Sequence, residues 1–461
     1  MDFYSETYHE SVKYAAKAVA DPIVLHWEKQ KAVDRRYAGC SRLDLQPEDA
    51  PNFGYVSGDG LKPVGVYVVL RGRKQPDGIY AYVAESAASG SGSAPGLAGQ
   101  LVKIGGKDEM KSLMAAFPDQ DFVSQTPVLY VFTGILERAV WRFKESAYSQ
   151  VQRDVGACVG SVLLDVKRKG GKAFPLGGFV DDDVANVLKL GATEVPLACL
   201  AVFPEYSGVA FESVDDGVGE SAYSNRSESD MVADARRYPA RFMHQNRAES
   251  IENLSKCIRV RRVVSQPLPG DEFPLTPAKY SSDGYLSALP DLVPANLKHI
   301  PFRKLSMDLD DFSSMLRWLE LGAINLFGAG LLKIWIMSFD VMFVYPGVYR
   351  YVPVRKSIYM QNGQVMMKKF AKCHAAVEEA ENAAFAVVLT ADLKEACNLL
   401  GERAYRYLNM NAGYILQSLS LSGRVLNKTV RSPHFFYEDD LKKLCNIPEE
   451  ESVISEILVG K

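Results

Sequence analysis

The chain repeats itself. "PVLYVFTGILERAVWRFKESAYSQVQRDVGACVGSVLL" at 127–164 lies on "AFAVVLTADLKEACNLLGERAYRYLNMNAGYILQSLSL" at 384–421 without a gap. Thr133 meets Thr390, Leu136 meets Leu393, Ala139 meets Ala396, Glu145 meets Glu402, Tyr148 meets Tyr405 and Gly156 meets Gly413. The offset is constant at 257 (390 − 133). Further on, "FPLGGFVDDD" (174–183) and "RSPHFFYEDD" (431–440) keep the same register. Upstream, "DGIYAY" (77–82) matches "PGVYRY" (346–351) at an offset of 269 (349 − 80). The difference of 12 is taken up by the Gly/Ser-rich insert "SAASGSGSAPG" (86–96), which is found in the first copy only. A period of this length duplicates a whole domain rather than a solenoid unit.

Each copy reads alike. An apolar strand ("VGVYVVLRG", "LKIWIMSF") precedes a G-[IV]-Y-x-Y turn. A second strand ("VLYVFTG", "FAVVLTA") leads into a long amphipathic helix, and a β-rich end closes the copy ("VPLACLAVF", "SVISEILVG"). Strand and helix patterns alternate, so the fold class is α+β or α/β, with helices packed on a sheet. Residues 207–300 are polar and proline-rich, and "ESVDDGVGESAYSNRSESD" (212–230) reads as an exposed linker. The expected division is a first domain over 1–206, a linker over 207–257 and a second domain over 258–461.

Bulk properties exclude several functions. Lys and Arg number 53 against 56 Asp and Glu, which gives no electrostatic footprint for nucleic acid and no basic surface for a membrane. The apolar region 321–349 is interrupted by Lys333 and Asp340, so buried strands are expected there rather than a membrane span. The seven cysteines include no C-x-x-C pair and read as reduced thiols of a cytoplasmic protein. The polar start "MDFYSETYHESVKY" carries no signal-peptide pattern. His9, His26, His244, His299 and His374 are scattered, and Cys373-His374 is adjacent rather than at i, i+4. No metal site is expected. Asp181–Asp183 read as the first turn of a helix, favoured there by capping and the helix dipole.

The ordered series of motifs resembles a known family. "YHESVKY" (8–14), "HWEKQ" (26–30), "RRY" (35–37), "VSGDGLKPVGVYVV" (56–69), "FPLGGFVDDD" and "LGERAYRYLNMNAGY" (400–414) are together similar to flavin-dependent dehydrogenases of the nitroreductase superfamily, of the SagB/ThcOx type. The resemblance implies two tandem nitroreductase-like α+β domains forming an intrachain pseudo-dimer, with FMN as cofactor. It implies oxidation of azoline rings to azoles (thiazoles or oxazoles) in ribosomally made, modified peptides. A heterocyclase of the YcaO type or another biosynthetic protein is then a partner, and a further homodimer is open.

Carried over residue by residue, the resemblance offers two flavin clefts. One has Pro175, Gly177 and Gly178 along the ring and Gly328, Ala329 and Gly330 as the partner ribbon. Its phosphate clamp is poor, since the last strand is followed by Phe203-Pro204. The other takes Arg261, Arg262 and Ser265 from "IRVRRVVSQPLPGDEF" (258–273), Lys461 at the position of Pro204, and Ser57, Gly58 and Gly60 as its ribbon. Guanidinium and ammonium groups suit a phosphate dianion. The N5 donor of the flavin ring is a backbone N–H, which any non-proline residue supplies, so Phe435 can stand where glycine stood. The second cleft is therefore favoured, with His434 beside the ring. The arginines also suit a solvated strand edge, and Lys461 an ordinary chain terminus.

The chemistry departs from the family in one place. Peptide-modifying members carry a Lys-Tyr pair where this chain has Leu399-Leu400 and Arg142-Phe143. Leucine accepts no proton, and arginine keeps its own. Substitute bases are Tyr405, Tyr148, Lys144 and His434, although a tyrosine kept in both copies also suits helix packing. Three functions stay open: an FMN-dependent dehydrogenase of a peptide- or carrier-bound heterocycle; an NAD(P)H-dependent oxidoreductase of small molecules; and a flavin-free descendant that binds a peptide or partner.

Overall fold

In the computed structural model, residues 3–13, 40–45, 53–73, 75–84, 99–118, 120–203, 271–277, 302–323, 331–363, 367–375, 377–433 and 435–461 are described. The strands of the first half are β1 (Arg42–Leu45), β2 (Val64–Leu70), β3 (Gly78–Ala84), β4 (Gly99–Gly105), β5 (Val128–Ile135), β6 (Lys172–Leu176) and β7 (Glu194–Phe203). Those of the second are β8 (Glu272–Pro274), β9 (Lys333–Ser338), β10 (Gly347–Val352), β11 (Ser357–Asn362), β12 (Phe385–Ala391), β13 (Thr429–Arg431) and β14 (Ser452–Gly460). The helices run α1 (Tyr4–Val12), α2 (Lys107–Ala115), α3 (Glu137–Phe143), α4 (Ala147–Arg168), α5 (Asp181–Leu188), α6 (Leu309–Ala323), α7 (Met367–Ala371), α8 (Val377–Ala380), α9 (Leu393–Leu400), α10 (Arg403–Val425) and α11 (Glu438–Cys445).

The duplication is carried by topology. One sheet has the order β1-β4-β3-β2-β5-β7-β6, and the other has β8-β11-β10-β9-β12-β14-β13. Each strand of the first half has its counterpart seven places later, and every pairing is antiparallel. Even an irregularity is repeated: the register slips between Phe132 and Thr133 in one sheet and between Leu389 and Thr390 in the other. At that slip a buried carboxylate accepts from a threonine hydroxyl in both halves, Glu194 from Thr133 and Glu451 from Thr390.

The G-[IV]-Y-x-Y segment is strand, not turn. Gly78 and Gly347 open β3 and β10. A Cβ at Gly78 would lie 2.8 Å from the Gly105 carbonyl oxygen, and one at Gly347 would lie 2.7 Å from that of Asn362. Glycine is what lets the neighbouring strand approach. The first tyrosine of each copy then hydrogen-bonds back across the preceding turn, Tyr80 to the Pro76 carbonyl and Tyr349 to the Tyr345 carbonyl. The motif was therefore legible as a unit, but β-branched and aromatic residues extend it as strand.

Within region 321–349 the expected buried strand is β9, buried along nearly its whole length, and β10 begins at Gly347; residues 321–323 instead end α6, and 324–330 lie outside the described residues. Among the described residues no helix is long and apolar enough to cross a membrane. The long helices α4 and α10, of 22 and 23 residues, are buried on most of their surface. At 1.5 Å per residue each runs for about 33 Å. Helix α5 starts at Asp181 as expected, with three aspartates in its first turn, though no side chain caps it. The carboxylates therefore act through the helix dipole rather than through a capping hydrogen bond.

Two compact units emerge. One gathers Met1–Lys29, Val56–Leu61 and Ala248–Lys461; the other holds Gln30–Tyr55 and Lys62–Arg247. The first-half core packs Phe117, Phe174, Phe179, Leu129, Val131 and their neighbours. The second-half core packs Phe302, Trp335, Phe370, Val388 and Leu441. Burying an aromatic such as Phe179 contributes about 2–3 kcal/mol.

Candidate functional site

The ribbon Val56–Leu61 lies between two apolar stretches of the first half, yet it is grouped with the second. Its entry is fixed by the Val56 N–H, which donates to Gln417 Oε1 on α10 at 2.8 Å. Its tip is a tight turn in which the Gly60 N–H donates to the Ser57 carbonyl and the Leu61 N–H to that of Gly58, both at 3.1 Å. Asp59 (φ 48°) and Gly60 (φ 74°) are left-handed there. Such a turn is narrow and offers backbone to a ligand. Leu61 and Gly58 are buried, while Gly60 is exposed.

Lys461, in the same unit, closes β14 among other cations. Its carbonyl accepts from the Arg303 N–H at 2.6 Å, and its Nζ lies 3.4 Å from Asp308 Oδ2. Arg431, paired with Leu458 in the sheet, holds its guanidinium 4.7 Å from the Phe302 ring, and that ring packs where a Cβ on Gly460 would stand. Arg303, Arg431 and Lys461 thus gather at one end of the sheet. The sequence reading found only Lys461. Arg431 stands three residues ahead of the altered glycine turn, and Arg303 lies in no motif.

The turn that replaces the glycines is anchored at both sides. The Ser432 hydroxyl donates to the Glu456 carbonyl at 2.8 Å, and the Phe435 carbonyl accepts from the Ala375 N–H at 2.9 Å. Phe435 is half-buried. His434 lies outside the described residues, as do Arg261, Arg262, Ser265, Gly328, Ala329 and Gly330.

Tyr405, on α10, heads a buried polar line. Its hydroxyl lies 3.3 Å from His9 Nδ1, and His9 Nε2 lies 3.1 Å from Glu438 Oε2. Lys13 Nζ stands 3.5 Å from the other oxygen of Glu438, which also accepts the Val453 N–H at 2.9 Å. Burial raises the Glu438 carboxyl, but His9 and Lys13 outweigh it and hold the group below the usual carboxylate range. The line is secured by α1, whose Tyr4 and Ser5 N–H groups donate to Glu402 at 2.7 and 2.9 Å. In the sequence His9 is one of several scattered histidines. Its partners are about 400 residues away in sequence, so no local pattern could reveal it.

The intact glycine turn belongs to the other unit. Gly177 and Gly178 are buried, Pro175 is half-buried, and the Gly178 carbonyl accepts from the Gln120 amide. Tyr148 is half-buried at the start of α4, and Lys144 is exposed between two helices. The structure thus groups Ser57, Gly58, Gly60, Phe435, Tyr405 and Lys461 in one unit and Pro175, Gly177, Gly178, Tyr148 and Lys144 in the other. Among the described residues no cluster of His, Cys, Asp or Glu could hold a metal ion.

Two antiparallel sheets of this order, each backed by a long buried helix, define a nitroreductase-like α+β fold. Residues 55–202 match the profile of the Nitroreductase family. A nitroreductase-like protein of Methanocaldococcus jannaschii is 25% identical over 118 residues, which are 26% of this chain and 60% of the relative. The chain thus spans about three fifths of that relative's length. The crystal structure of a nitroreductase-like protein from Anabaena variabilis covers all of this chain and all of its own, with a TM-score of 0.75 at 20% identity, and shows the same fold. A chain of the Escherichia coli microcin synthetase McbBCD complex covers 44% of this chain and 81% of its own at 13% identity. Its TM-score of 0.32 is too low to carry an argument.

Proposed function

We propose that this chain is a flavin-dependent oxidoreductase that holds one FMN in its second half, against the ribbon Ser57–Gly60. The observation that carries this reading is the grouping of that ribbon with the unit in which Arg431 and Lys461 stand at the end of the sheet and Arg303 binds the Lys461 carbonyl. The donor set fits the group: guanidinium and ammonium suit a phosphate dianion, and a narrow left-handed turn suits a flat ring. Arg261, Arg262 and Ser265 would complete the clamp.

Bound FMN would supply a hydride acceptor. The chain's own part is to position the substrate and take the proton. Tyr405, backed by His9 and Glu438, is the group best built for that, since its hydroxyl can pass a proton along the line to a carboxylate. The substrate class we favour is a five-membered heterocycle on a peptide or carrier, oxidised from azoline to azole, with a heterocyclase as the natural supplier. Leu399 and Leu400, both buried, leave the family's Lys-Tyr positions without chemistry. That observation favours a second reading, reduction or oxidation of a small molecule with NAD(P)H.

The absorbance spectrum of the purified protein, with the released cofactor identified, tests the first step. A flavin spectrum and released FMN are expected, and a colourless protein that takes up no added FMN overturns the reading. Bleaching of the flavin by NAD(P)H alone selects the small-molecule reading over the heterocycle.

A further inference from the structure

The ribbon leaves and re-enters the first-half unit at Tyr55 and Lys62, and those two residues are tied to each other. Lys62 Nζ donates to the Tyr55 carbonyl and stands 4.2 Å from the centre of the Tyr55 ring. The incoming limb is held by α4: the Cys158 thiol lies 3.9 Å from the Phe53 carbonyl, and the Ser161 hydroxyl donates to the Gly54 carbonyl. The outgoing limb is held by α3 and β5. Arg138 donates to the Lys62 carbonyl at 2.9 Å, and the Ile135 N–H donates to the Pro63 carbonyl at 2.7 Å. The Tyr55 hydroxyl accepts the Val64 N–H at 3.2 Å. Each limb is thus anchored separately, and the Lys62 ammonium together with the Tyr55 ring and hydroxyl links one limb to the other.

Two further features set Lys62 apart. It is a non-glycine residue at φ 49°, in the left-handed region that few non-glycine residues occupy. Desolvation draws its amine below the ordinary lysine range, with Asp154 opposing the shift.

We infer that Lys62 is the positioning residue of the ribbon: its ammonium clamps the two limbs together and so fixes the turn Ser57–Gly60 that faces the ligand. This rests on the flavin reading for what the ligand is, and on the hydrogen bonds alone for what the clamp does. Lys62 touches no reacting atom in this role. It acts by lowering the number of conformations that the turn samples before binding, which is how preorganisation raises affinity.

The test compares the full-length wild type with Lys62→Met, which keeps the stem and removes the donor, and Lys62→Arg, which restores a cation. Amide hydrogen exchange is read at Gly60 and Leu61 without ligand, and added FMN is titrated by quenching of its fluorescence. In Lys62→Met we expect exchange at both amides to rise about tenfold or more while α4 and β5 keep their protection. FMN affinity should fall by about tenfold, and Lys62→Arg should recover most of both losses. Unchanged exchange in Lys62→Met overturns the clamp. So does a loss of protection in α4 and β5 equal to that in the ribbon, because Lys62 would then serve the core rather than the turn. If Lys62→Met does not fold, Lys62→Leu, which likewise removes the donor, decides the matter by the same exchange criterion. A wild type that binds no FMN removes the flavin reading yet leaves the exchange result standing on its own.

Discussion

His374 and Glu456 sit in the second half where Phe117 and Cys199 sit in the first, each at the offset of 257 (374 − 117). The surrounding backbone is the same. The Val180 N–H donates to the Ala116 carbonyl in one copy, and the Tyr437 N–H to the Cys373 carbonyl in the other. All four side chains are buried. His374 Nε2 lies 3.1 Å from both Glu456 oxygens, and its Nδ1 lies 3.1 Å from the Phe370 carbonyl. Phe117 instead packs on Phe179, ring centroids 5.9 Å apart. One scaffold therefore accepts either an ion pair or an apolar pair at the same core position. Such a pair costs desolvation that its attraction only partly offsets, so the apolar version loses little. What neither version tolerates is half of the other.

The halves differ in the same spirit at the turn between their paired helices. Gly401 stands at φ 65°, ψ −165°, and its counterpart Lys144 at φ 48°, ψ −126°. Glycine takes that conformation freely, whereas lysine is strained in it. In this place the first half keeps the shape without the residue that suits it.

The strongest challenge to the comparison concerns the flavin. Arg261→Ala together with Arg262→Ala is expected to weaken FMN binding by at least about a hundredfold, while Gly177→Ala leaves it within about threefold. Equilibrium titration with FMN reads both. The reverse ranking would move the working cleft to the half that kept its glycines.

Next in size is the buried pair. His374→Phe alone leaves Glu456 without its cation, and a loss of about 3–5 kcal/mol of stability is expected in urea unfolding. Adding Glu456→Cys recreates the first half's pair and should recover most of that loss. If the double variant is as unstable as the single one, the two cores are not interchangeable.

The same pair gives a pH dependence. Burial pulls the His374 imidazole down, but Glu456 and the two helix carbonyls outweigh it and raise it above the ordinary value of 6.5. The folded state then holds a proton that the unfolded chain releases first. This contribution is complete below the unfolded value and is lost as pH rises through the raised folded one. Unfolding midpoints measured across that interval should fall with rising pH in the wild type and fall less in the double variant. The smallest effect concerns the helix turn: Lys144→Gly should add about 1 kcal/mol, seen as a higher unfolding midpoint, and a loss of stability would show the turn to be unstrained.

Much of the fold was legible because it is written twice. A constant offset through "VLYVFTG" and "FAVVLTA" and a long helix called for two copies of one sheet, and β4–β7 recur as β11–β14 near that offset, whereas β2 and β3 recur 269 residues on (333 − 64). The G-[IV]-Y-x-Y segment was misjudged as a turn because glycine punctuates loops more often than it opens strands. Here the reason for the glycine is a carbonyl on the next strand, which local sequence does not display. The candidate site was legible only where it is local. Ser57, Gly58, Gly60 and Lys461 stand in motifs. Arg303, Arg431, His9 and Glu438 are brought together by contacts between distant segments, and each looks ordinary among its sequence neighbours.

The ribbon gives the two copies a shared inheritance. Because Val56–Leu61 is grouped with the second half, a fragment cut at the linker would carry its own sheet but leave behind a segment that groups with it. A scan of substitutions plotted along the chain would then show an island at 56–61 whose phenotypes match those of residues from Ala248 onward. Sequence position would misassign that island to the half in which it is encoded.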